Sequence, residues 1–338
     1  MKELALLLFT FLALASPAAV SGASSVYCIG YDNKSTPILW ITDCAGNLLD
    51  ETSLDTSGLP NAVTTTSNQV YTVGQDVDFY ATIWVNNLDG SLVSKTRIGQ
   101  VLGALNYGVA ATSNYVYASG VNHSGCASLW ITKPNGSLVK IVPLGGVSSF
   151  ARKVAASPTN VYLGGIGWDN SAAFWMTDLE GNSLKKVPLG GTRSNVQSIA
   201  VSSTNVYCVG YDQHIAPAIW MTDLEGNSLK KFVLDKGGQA NDVALSPQKI
   251  YVLGKDSQSY ATLWITDSSG TDIQKITLES EGPCYFGGIA LSSSEVYCVG
   301  RDAAGDAVLW ICSHDGHHIQ KIILDSVGEL ATDVALSE

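Results

Sequence analysis

The chain has 338 residues, of which 46% are hydrophobic and only 14% are charged, and its formal net charge is −11. An acidic surface repels phosphate backbones and anionic lipid headgroups, so nucleic acids and membrane surfaces are excluded as expected partners. The low charge and the 33 Gly indicate buried β-sheet with many tight turns, and no window shows a sustained helical period after the first residues.

The N-terminal residues have the pattern of an export signal. Met1-Lys2-Glu3 precedes an apolar run from Leu4 to Ala15, and small residues follow as far as Ser25. The run is too short to span a bilayer, whereas a charged start, an apolar centre and small residues describe a secretory signal peptide. Residues 1–23 are predicted to be this signal, cleaved after Ala15 or after Ala23. The mature chain is then expected to be secreted, periplasmic or on the cell surface, without membrane insertion.

Three markers recur in constant register along the rest of the chain, at steps of 44 to 46 residues. The first is Val/Ile-Tyr-x-x-Gly, with its tyrosine at Tyr27, Tyr71, Tyr117, Tyr162, Tyr207, Tyr251 and Tyr297. The second is a tryptophan thirteen residues later, at Trp40, Trp84, Trp130, Trp175, Trp220, Trp264 and Trp310. The third is a glycine six residues beyond each tryptophan. The chain therefore contains seven copies of one unit of about 45 residues.

Each unit predicts four strands, A to D. In the sixth copy these are Asp242–Ser246, Ile250–Gly254, Ala261–Asp267 and Asp272–Leu278. The glycine in Thr-Asp-Ser-Ser-Gly suits a turn that needs a positive φ, so strands C and D form a hairpin. Strands A to C are apolar on both faces, while D alternates apolar and polar residues and is expected at the outer edge.

A sheet with two apolar faces needs neighbours on both sides, and radial closure leaves only short, protected edges. The sequence begins its repeats with a strand B, Val26–Gly30, and ends with a strand A, Asp333–Ser337. We therefore predict an all-β, seven-bladed β-propeller of four-stranded antiparallel blades over residues 24–338. One blade combines N-terminal strands B, C and D with the C-terminal strand A. The domain is expected to be a monomer.

The unit resembles the bacterial β-propeller repeats known as SBBP repeats. The resemblance rests on Asp-Val-Ala-Leu-Ser, Val-Tyr-x-Val-Gly-Tyr-Asp and Ala-x-Leu-Trp-Ile-Thr-Asp-x-x-Gly-Asn. The unit lacks the Gly-His and Trp-Asp pairs of WD40 repeats and the paired glycines of kelch repeats. The resemblance implies an extracytoplasmic propeller. It transfers no functional residue, because that family has no common activity.

The conspicuous repeat residues are interpreted as structural. The tryptophan ring lies among apolar neighbours in strand C and is predicted to form the core between blades. Acidic residues recur after the strand-B glycine and after the tryptophan, at Asp32, Asp76, Asp212, Asp256, Asp302 and at Asp43, Asp178, Asp223, Asp267. Because these acidic residues are separated from one another by a whole blade, they cannot converge on one cation. They are therefore predicted to cap turns.

Cysteine and histidine leave alternatives open. Seven cysteines follow the signal, and Cys28–Cys44 or Cys298–Cys312 could pair within a blade. The cluster His314-Asp315-Gly316-His317-His318 holds three histidines, but a turn does not fix the geometry of a metal site. No Gly-x-Ser-x-Gly or phosphate loop occurs. Neither a metal nor a cofactor is expected.

Function is expected where the repeat is interrupted, because a rigid scaffold positions loops that vary freely. In a propeller the D–A and B–C loops share one face. The binding candidates on that face are Tyr107, Phe150, Arg152, Trp168, Arg193, His214, Tyr285, Phe286 and Arg301. Exposed aromatic side chains with arginine are typical of sugar or protein recognition.

Three functions remain open at this point. The leading hypothesis is a non-catalytic binding or scaffold propeller that recognises a protein or glycan through the loop face. The alternative is a propeller enzyme resembling a lactonase, lyase or glycosidase, with its site at the channel mouth. That alternative fails if the mouth is lined only by Asn61, Gln197, Asn241 and Gly287. The third is a structural spacer at the cell surface.

Overall fold

A computed structural model describes residues 25–99, 105–280, 284–326 and 330–337, with the backbone alone of Leu105, Asn106 and Phe286. Within these ranges the chain forms 28 β-strands. The predicted signal peptide, residues 1–23, lies outside the described residues.

The strands have the following bounds. The first fourteen are β1 (Val26–Tyr31), β2 (Pro37–Thr42), β3 (Leu48–Ser53), β4 (Gly58–Thr65), β5 (Gln69–Asp76), β6 (Ala81–Asn87), β7 (Leu92–Arg97), β8 (Leu105–Ala111), β9 (Val116–Val121), β10 (Cys126–Thr132), β11 (Leu138–Val147), β12 (Phe150–Ala156), β13 (Asn160–Ile166) and β14 (Ser171–Asp178). The other fourteen are β15 (Lys185–Thr192), β16 (Asn195–Val201), β17 (Asn205–Tyr211), β18 (Pro217–Asp223), β19 (Lys230–Val233), β20 (Gly238–Leu245), β21 (Lys249–Asp256), β22 (Ala261–Asp267), β23 (Ile273–Glu279), β24 (Tyr285–Leu291), β25 (Glu295–Arg301), β26 (Ala307–Ser313), β27 (Gln320–Asp325) and β28 (Leu330–Leu336).

The strands form seven four-stranded antiparallel sheets, the blades of a closed ring. Blade 1 has the order β28-β1-β2-β3, and blades 2 to 7 take successive groups of four from β4–β7 to β24–β27. Each innermost strand, A, contacts the A strands of both neighbouring blades, and β28 contacts β24 and β4. In blade 1, Val26 lies opposite Leu336 and Tyr31 opposite Leu330. The predicted seven-bladed propeller and its seam are confirmed.

The core lies between blades, as the repeat predicted. All seven repeat tryptophans are 0 or 1% exposed, and Trp84 of blade 2 packs with Ile29 and Leu39 of blade 1. Five repeat tyrosines also donate a hydrogen bond from the phenol to the C–D turn of the next blade. The donors and acceptor carbonyls are Tyr27 to Leu88, Tyr117 to Leu179, Tyr162 to Leu224, Tyr251 to His314 and Tyr297 to Cys44.

The repeated acidic residues cap turns, also as predicted. The carboxylate of Asp32 accepts hydrogen bonds from the backbone N–H groups of Lys34 and Thr36, at 2.8 and 2.7 Å. Pairs of backbone N–H groups are bound in the same way by Asp76, Asn122, Asp212, Asp256 and Asp302. In the C–D turns the repeat glycines have φ between 71° and 85°, which explains why glycine recurs there.

Neither disulfide alternative forms. None of the seven cysteines, all of which lie in the described part of the chain, forms a disulfide. Cys28 lies opposite Trp40 in the B–C hairpin of blade 1, and Cys298 lies opposite Trp310 in blade 7. Each thiol is therefore opposite a tryptophan on the neighbouring strand, and not opposite the cysteine with which the sequence allowed a disulfide. Burial raises the pKa of both Cys28 and Cys298, so these thiols behave as small core residues.

Lysines on strand D connect neighbouring blades at three interfaces. Each binds the turn aspartate of its own blade and an acidic residue at the end of strand D in the preceding blade. The contacts are Lys95 with Asp76 and Asp55, Lys275 with Asp256 and Asp235, and Lys321 with Asp302 and Glu279, at 2.5–3.8 Å. These lysines lie directly opposite a repeat tryptophan.

The interface between blades 7 and 1 lacks such a lysine. Glu51 occupies the equivalent position, opposite Trp40. Burial raises the pKa of Glu51, and the charges of Asp325 and Asp32 raise it further. The pKa of this carboxyl is therefore higher in the folded state than its unfolded value of about 4.3. As the pH rises from the unfolded pKa to the folded pKa, the carboxyl destabilises the fold progressively.

Removal of residues 331–338 should unfold the whole ring cooperatively, because the truncation removes most of β28 and leaves β1 without its partner. The measurement is urea unfolding followed by the fluorescence of the buried tryptophans, which report on every blade. A synthetic peptide of residues 330–338 should restore the lost stability. An unchanged unfolding midpoint after truncation would refute closure at this seam.

Replacement of Glu51 by lysine should stabilise the fold by about 0.5–1 kcal/mol, because the introduced ammonium group would have Asp32 and Asp325 as neighbours. These two aspartates occupy the positions of the acidic partners of the lysines at the three bridged interfaces. Glu51→Gln is the matched control, since it removes only the repulsion. Urea unfolding at low salt measures both, and about 1 M NaCl should abolish the difference between them. If Glu51→Lys proves no more stable than Glu51→Gln, the bridging role of these lysines is wrong.

Candidate functional site

The D–A connections and the B–C turns lie at the same end of the propeller, which we call the loop face. Strand A begins where strand B ends, as shown by Gly58 opposite Asp76 and Asn195 opposite Tyr211. The predicted shared face is therefore confirmed. Three of the sequence candidates that were expected in D–A loops of this face, however, lie within A strands. Tyr107 belongs to β8, and Phe150 and Arg152 belong to β12.

Strand A starts earlier than the sequence predicted and contains a β-bulge. β20 begins at Gly238, four residues before the predicted start at Asp242. In each blade the pairing of A with B skips a residue near the loop face. The skipped residues are Thr332, Asn61, Tyr107, Arg152, Gln197, Asn241 and, together with Gly288, Gly287. Bulges re-aim side chains, and here they surround the mouth of the central channel.

The channel mouth is a polar cavity of about 230 Å³. Its described lining consists of the seven bulge residues with Lys153 and Leu330. This lining contains two cationic side chains, Arg152 and Lys153, and no carboxylate, although the chain as a whole carries a net charge of −11. The mouth is therefore electrostatically distinct from the rest of the molecule.

Arg152 contacts two aromatic rings. Its guanidinium carbon lies 5.1 Å from the ring centroid of Tyr107 and 5.6 Å from that of Phe150. Its Nε is buried without a hydrogen-bond partner among the described residues. Burial raises the pKa of Tyr107, against a smaller lowering by Arg152, so the phenol keeps its proton at neutral pH.

Lys153 bridges two aspartates across the channel, one residue deeper than the bulges. Its Nζ lies 2.7 Å from Asp333 and 3.8 Å from Asp242, whose side chains are 3% and 7% exposed. The two carboxylates are also bound by their surroundings. Asp333 accepts a hydrogen bond from the backbone N–H of Val63, and Asp242 accepts one from that of Ile289.

These contacts form a floor beneath the mouth. Burial alone would lower the pKa of Lys153, but Asp242 and Asp333 outweigh it and raise that pKa. Burial raises the pKa of Asp333, and Lys153 opposes that rise. Beyond this floor, a second cavity of about 590 Å³ opens at the other end of the channel, lined by Thr, Ser, Ala and Leu side chains. The floor therefore separates a charged mouth from an uncharged opening.

Five of the other sequence candidates surround the mouth and do not belong to its described lining. Trp168 and His214 are exposed in B–C turns, and Arg193 is exposed between β15 and β16. Tyr285, at the start of β24, is 65% exposed and lies opposite Arg301 at the end of β25. The side chain of Phe286 lies outside the described residues. The structure thus brings Tyr107, Phe150 and Arg152 together. It places Trp168, Arg193, His214, Tyr285 and Arg301 around the mouth, in a zone of the loop face that we call the rim.

Large apolar side chains are exposed on this rim. Trp168 is 68% exposed, Phe79 63% and Ile215 60%. Phe79 and Ile215 have φ of 61° and 60°, a conformation that is rare for bulky and β-branched residues. At the opposite end, exposed apolar residues such as Leu49 and Leu229 recur at one position of the unit, nine residues after the tryptophan. The rim residues have no such explanation in the repeat.

The histidine cluster lies in the C–D turn of blade 7, at the end opposite the loop face. His314 packs against Tyr251, with ring centroids 5.4 Å apart, and its Nε2 is 3.1 Å from the carbonyl of Ser292. Among the described residues no group of three or more His, Cys, Asp or Glu could hold a metal ion. The same part of the chain contains no helix long and apolar enough to cross a membrane.

Seven four-stranded blades around a channel with one charged mouth define a β-propeller. No protein-family model matches the chain, and no curated protein matches it, so the SBBP resemblance stays a prediction. Among solved structures, the periplasmic gluconolactonase PpgL of Pseudomonas aeruginosa is similar, with 14% identity and a TM-score of 0.67 over 93% of this chain and 98% of that one. A protein of unknown function from Bacteroides caccae has 12% identity and a TM-score of 0.52 over 75% of this chain and 94% of its own. At these identities the likeness shows the fold.

Replacement of Lys153 by methionine should lower the free energy of unfolding by about 3–5 kcal/mol at neutral pH, because two carboxylates would stay buried without their cation. The loss should shrink at acidic pH, because burial raises the pKa of Asp333 and protonation of its carboxylate removes part of the uncompensated charge. Urea unfolding at both pH values measures this.

The matched control is Lys186→Met, which removes a lysine 3.6 Å from the exposed Asp169. It should cost less than about 1 kcal/mol and show little pH dependence. Equal losses in the two variants would contradict the proposed floor.

Proposed function

We propose that this chain is an extracytoplasmic recognition protein that binds a glycan on its loop face, with one sugar unit in the channel mouth. The observation that carries this proposal is the convergence of seven bulges on one cavity. Their side chains supply amide, hydroxyl, phenol and guanidinium groups, which are the donors and acceptors that orient a polyhydroxylated ligand. A volume of about 230 Å³ suits one such unit.

The rim supports the same function. Trp168, Phe79 and Tyr285 present exposed rings near the loop-face end of their blades, and rings with a polar edge are suited to the mixed apolar and polar faces of sugars. The predicted signal peptide and the periplasmic location of PpgL support an extracytoplasmic location.

Lactone hydrolysis in the same cavity is the second candidate. One support is the likeness to a gluconolactonase. The other is that the mouth contains Tyr107, Arg152 and Lys153, whereas a lining of neutral residues alone would have excluded catalysis there. Hydrolysis needs a group that accepts a proton near neutral pH. The raised pKa values of Tyr107 and Lys153 keep both groups protonated, which favours binding over catalysis.

Binding should be lost when the mouth is filled with an apolar group. We expect Gln197→Leu to weaken the binding of glycans that score on an array by about tenfold or more, because a buried sugar hydroxyl would lose its partner. Trp168→Ala should weaken the binding of those glycans that extend from the mouth to the rim. Isothermal titration calorimetry measures each affinity.

Leu49→Ala is the control, since Leu49 is 60% exposed at the opposite end of the propeller and should leave every affinity unchanged. An array without hits, or hits that bind Gln197→Leu as tightly as the native protein, would overturn the proposal. Hydrolysis of gluconolactone above its spontaneous rate, abolished by Gln197→Leu, would establish the enzyme instead.

A further inference from the structure

The charge distribution of the mouth identifies the chemical class of its ligand. We infer that the mouth selects a sugar acid, whose carboxylate binds the guanidinium of Arg152. This inference rests on the proposed function, because it concerns the same cavity, and it adds the group that distinguishes the ligand from neutral sugars.

Arg152 has the free capacity that a carboxylate needs. Within the described residues it forms no ion pair, and its buried Nε has no hydrogen-bond partner. Tyr107 and Phe150 lie 5.1 and 5.6 Å from its guanidinium carbon. These cation–π contacts hold the guanidinium beside the two rings and do not use its N–H donors. A planar guanidinium held in this way matches the two oxygens of a carboxylate.

Lys153 does not compete for the ligand, because its charge is already compensated. It binds Asp333 at 2.7 Å and has Asp242 at 3.8 Å. Neither aspartate lines the mouth. The carboxylate of Asp242 accepts hydrogen bonds from the hydroxyl of Ser198, at 2.5 Å, and from the backbone N–H groups of Val243 and Ile289.

The balance of charge favours a monoanion. Arg152 and Lys153 carry two positive charges, and Asp242 and Asp333 can carry two negative charges beneath them. A carboxylate would pair with Arg152 while adding one negative charge to a neutral set. A phosphate would add about 1.5 to 2 charges above the same two aspartates. A neutral sugar would cover the partly buried guanidinium of Arg152 without supplying a counterion, which costs free energy.

Binding to the full mature chain tests the inference. Calorimetry and saturation-transfer NMR should show that D-glucuronate or D-galacturonate binds at least about tenfold more tightly than D-glucose, D-galactose and the methyl ester of glucuronate. The ester keeps the sugar and removes only the charge, so this arm needs no variant. Glucose 6-phosphate and a short peptide with a free C-terminal carboxylate complete the panel.

Arg152→Met should remove at least about tenfold of the uronate affinity while changing that of neutral sugars by less than about twofold, and Arg152→Lys should recover part of the loss. Lys133→Met is the matched control, because Lys133 is an exposed cation that also lies over an aromatic ring, that of Tyr115, but in a C–D turn at the opposite end of the propeller. Thermal unfolding confirms that each variant is folded.

The outcomes separate this inference from the proposed function. Equal binding of glucuronate, its methyl ester and glucose would overturn the sugar acid and leave glycan binding intact. Preference for the peptide carboxylate or for the sugar phosphate would also overturn it. The absence of any sugar binding would refute both. Uronate preference that survives Arg152→Met would overturn the role of Arg152.

Discussion

Every blade has two apolar faces, and neither face can be buried without another blade. The seven tryptophans meet this requirement by packing on the preceding blade, and truncation of one such side chain costs about 3–5 kcal/mol. The tyrosines act in the other direction, as Tyr27 does when it donates to Leu88 of the next blade. Because each blade depends on two neighbours, the stack closes, and β28 must return from the far end of the chain to complete blade 1.

The structural features that recur in all seven blades could be predicted from the sequence alone. The tryptophan core, the turn glycines, the capping aspartates and the seam all follow from spacings that the chain states in every unit. Agreement among periodicity, turn chemistry and strand pattern is the condition under which a sequence specifies one fold. Even the failures of the disulfide alternatives follow from it, since Cys28 occupies a core position opposite Trp40.

The residues that occur in only one blade could be assigned a role from the sequence only in part. Tyr107 and Arg152 were found because they interrupt the repeat, but their meeting depends on bulges that no residue pattern announced. Trp168 gave the same signal and lies on the rim. Lys153 was missed, because its partner Asp333 is 180 residues away and only closure brings them together. Glu51 was missed for a similar reason, since its neighbours belong to opposite ends of the chain.

The bulge positions show how a symmetric scaffold acquires an asymmetric site. Seven identical residues there would form a ring with sevenfold symmetry, which cannot hold an asymmetric ligand in one orientation. Thr, Asn, Tyr, Arg, Gln, Asn and Gly occupy them instead, so charge and hydrogen-bonding groups differ around the mouth. The floor at Lys153 allows this variation, because it joins A strands across the channel through buried carboxylates that do not line the ligand cavity. Stability therefore resides one residue deeper than recognition, and the mouth residues are free to differ.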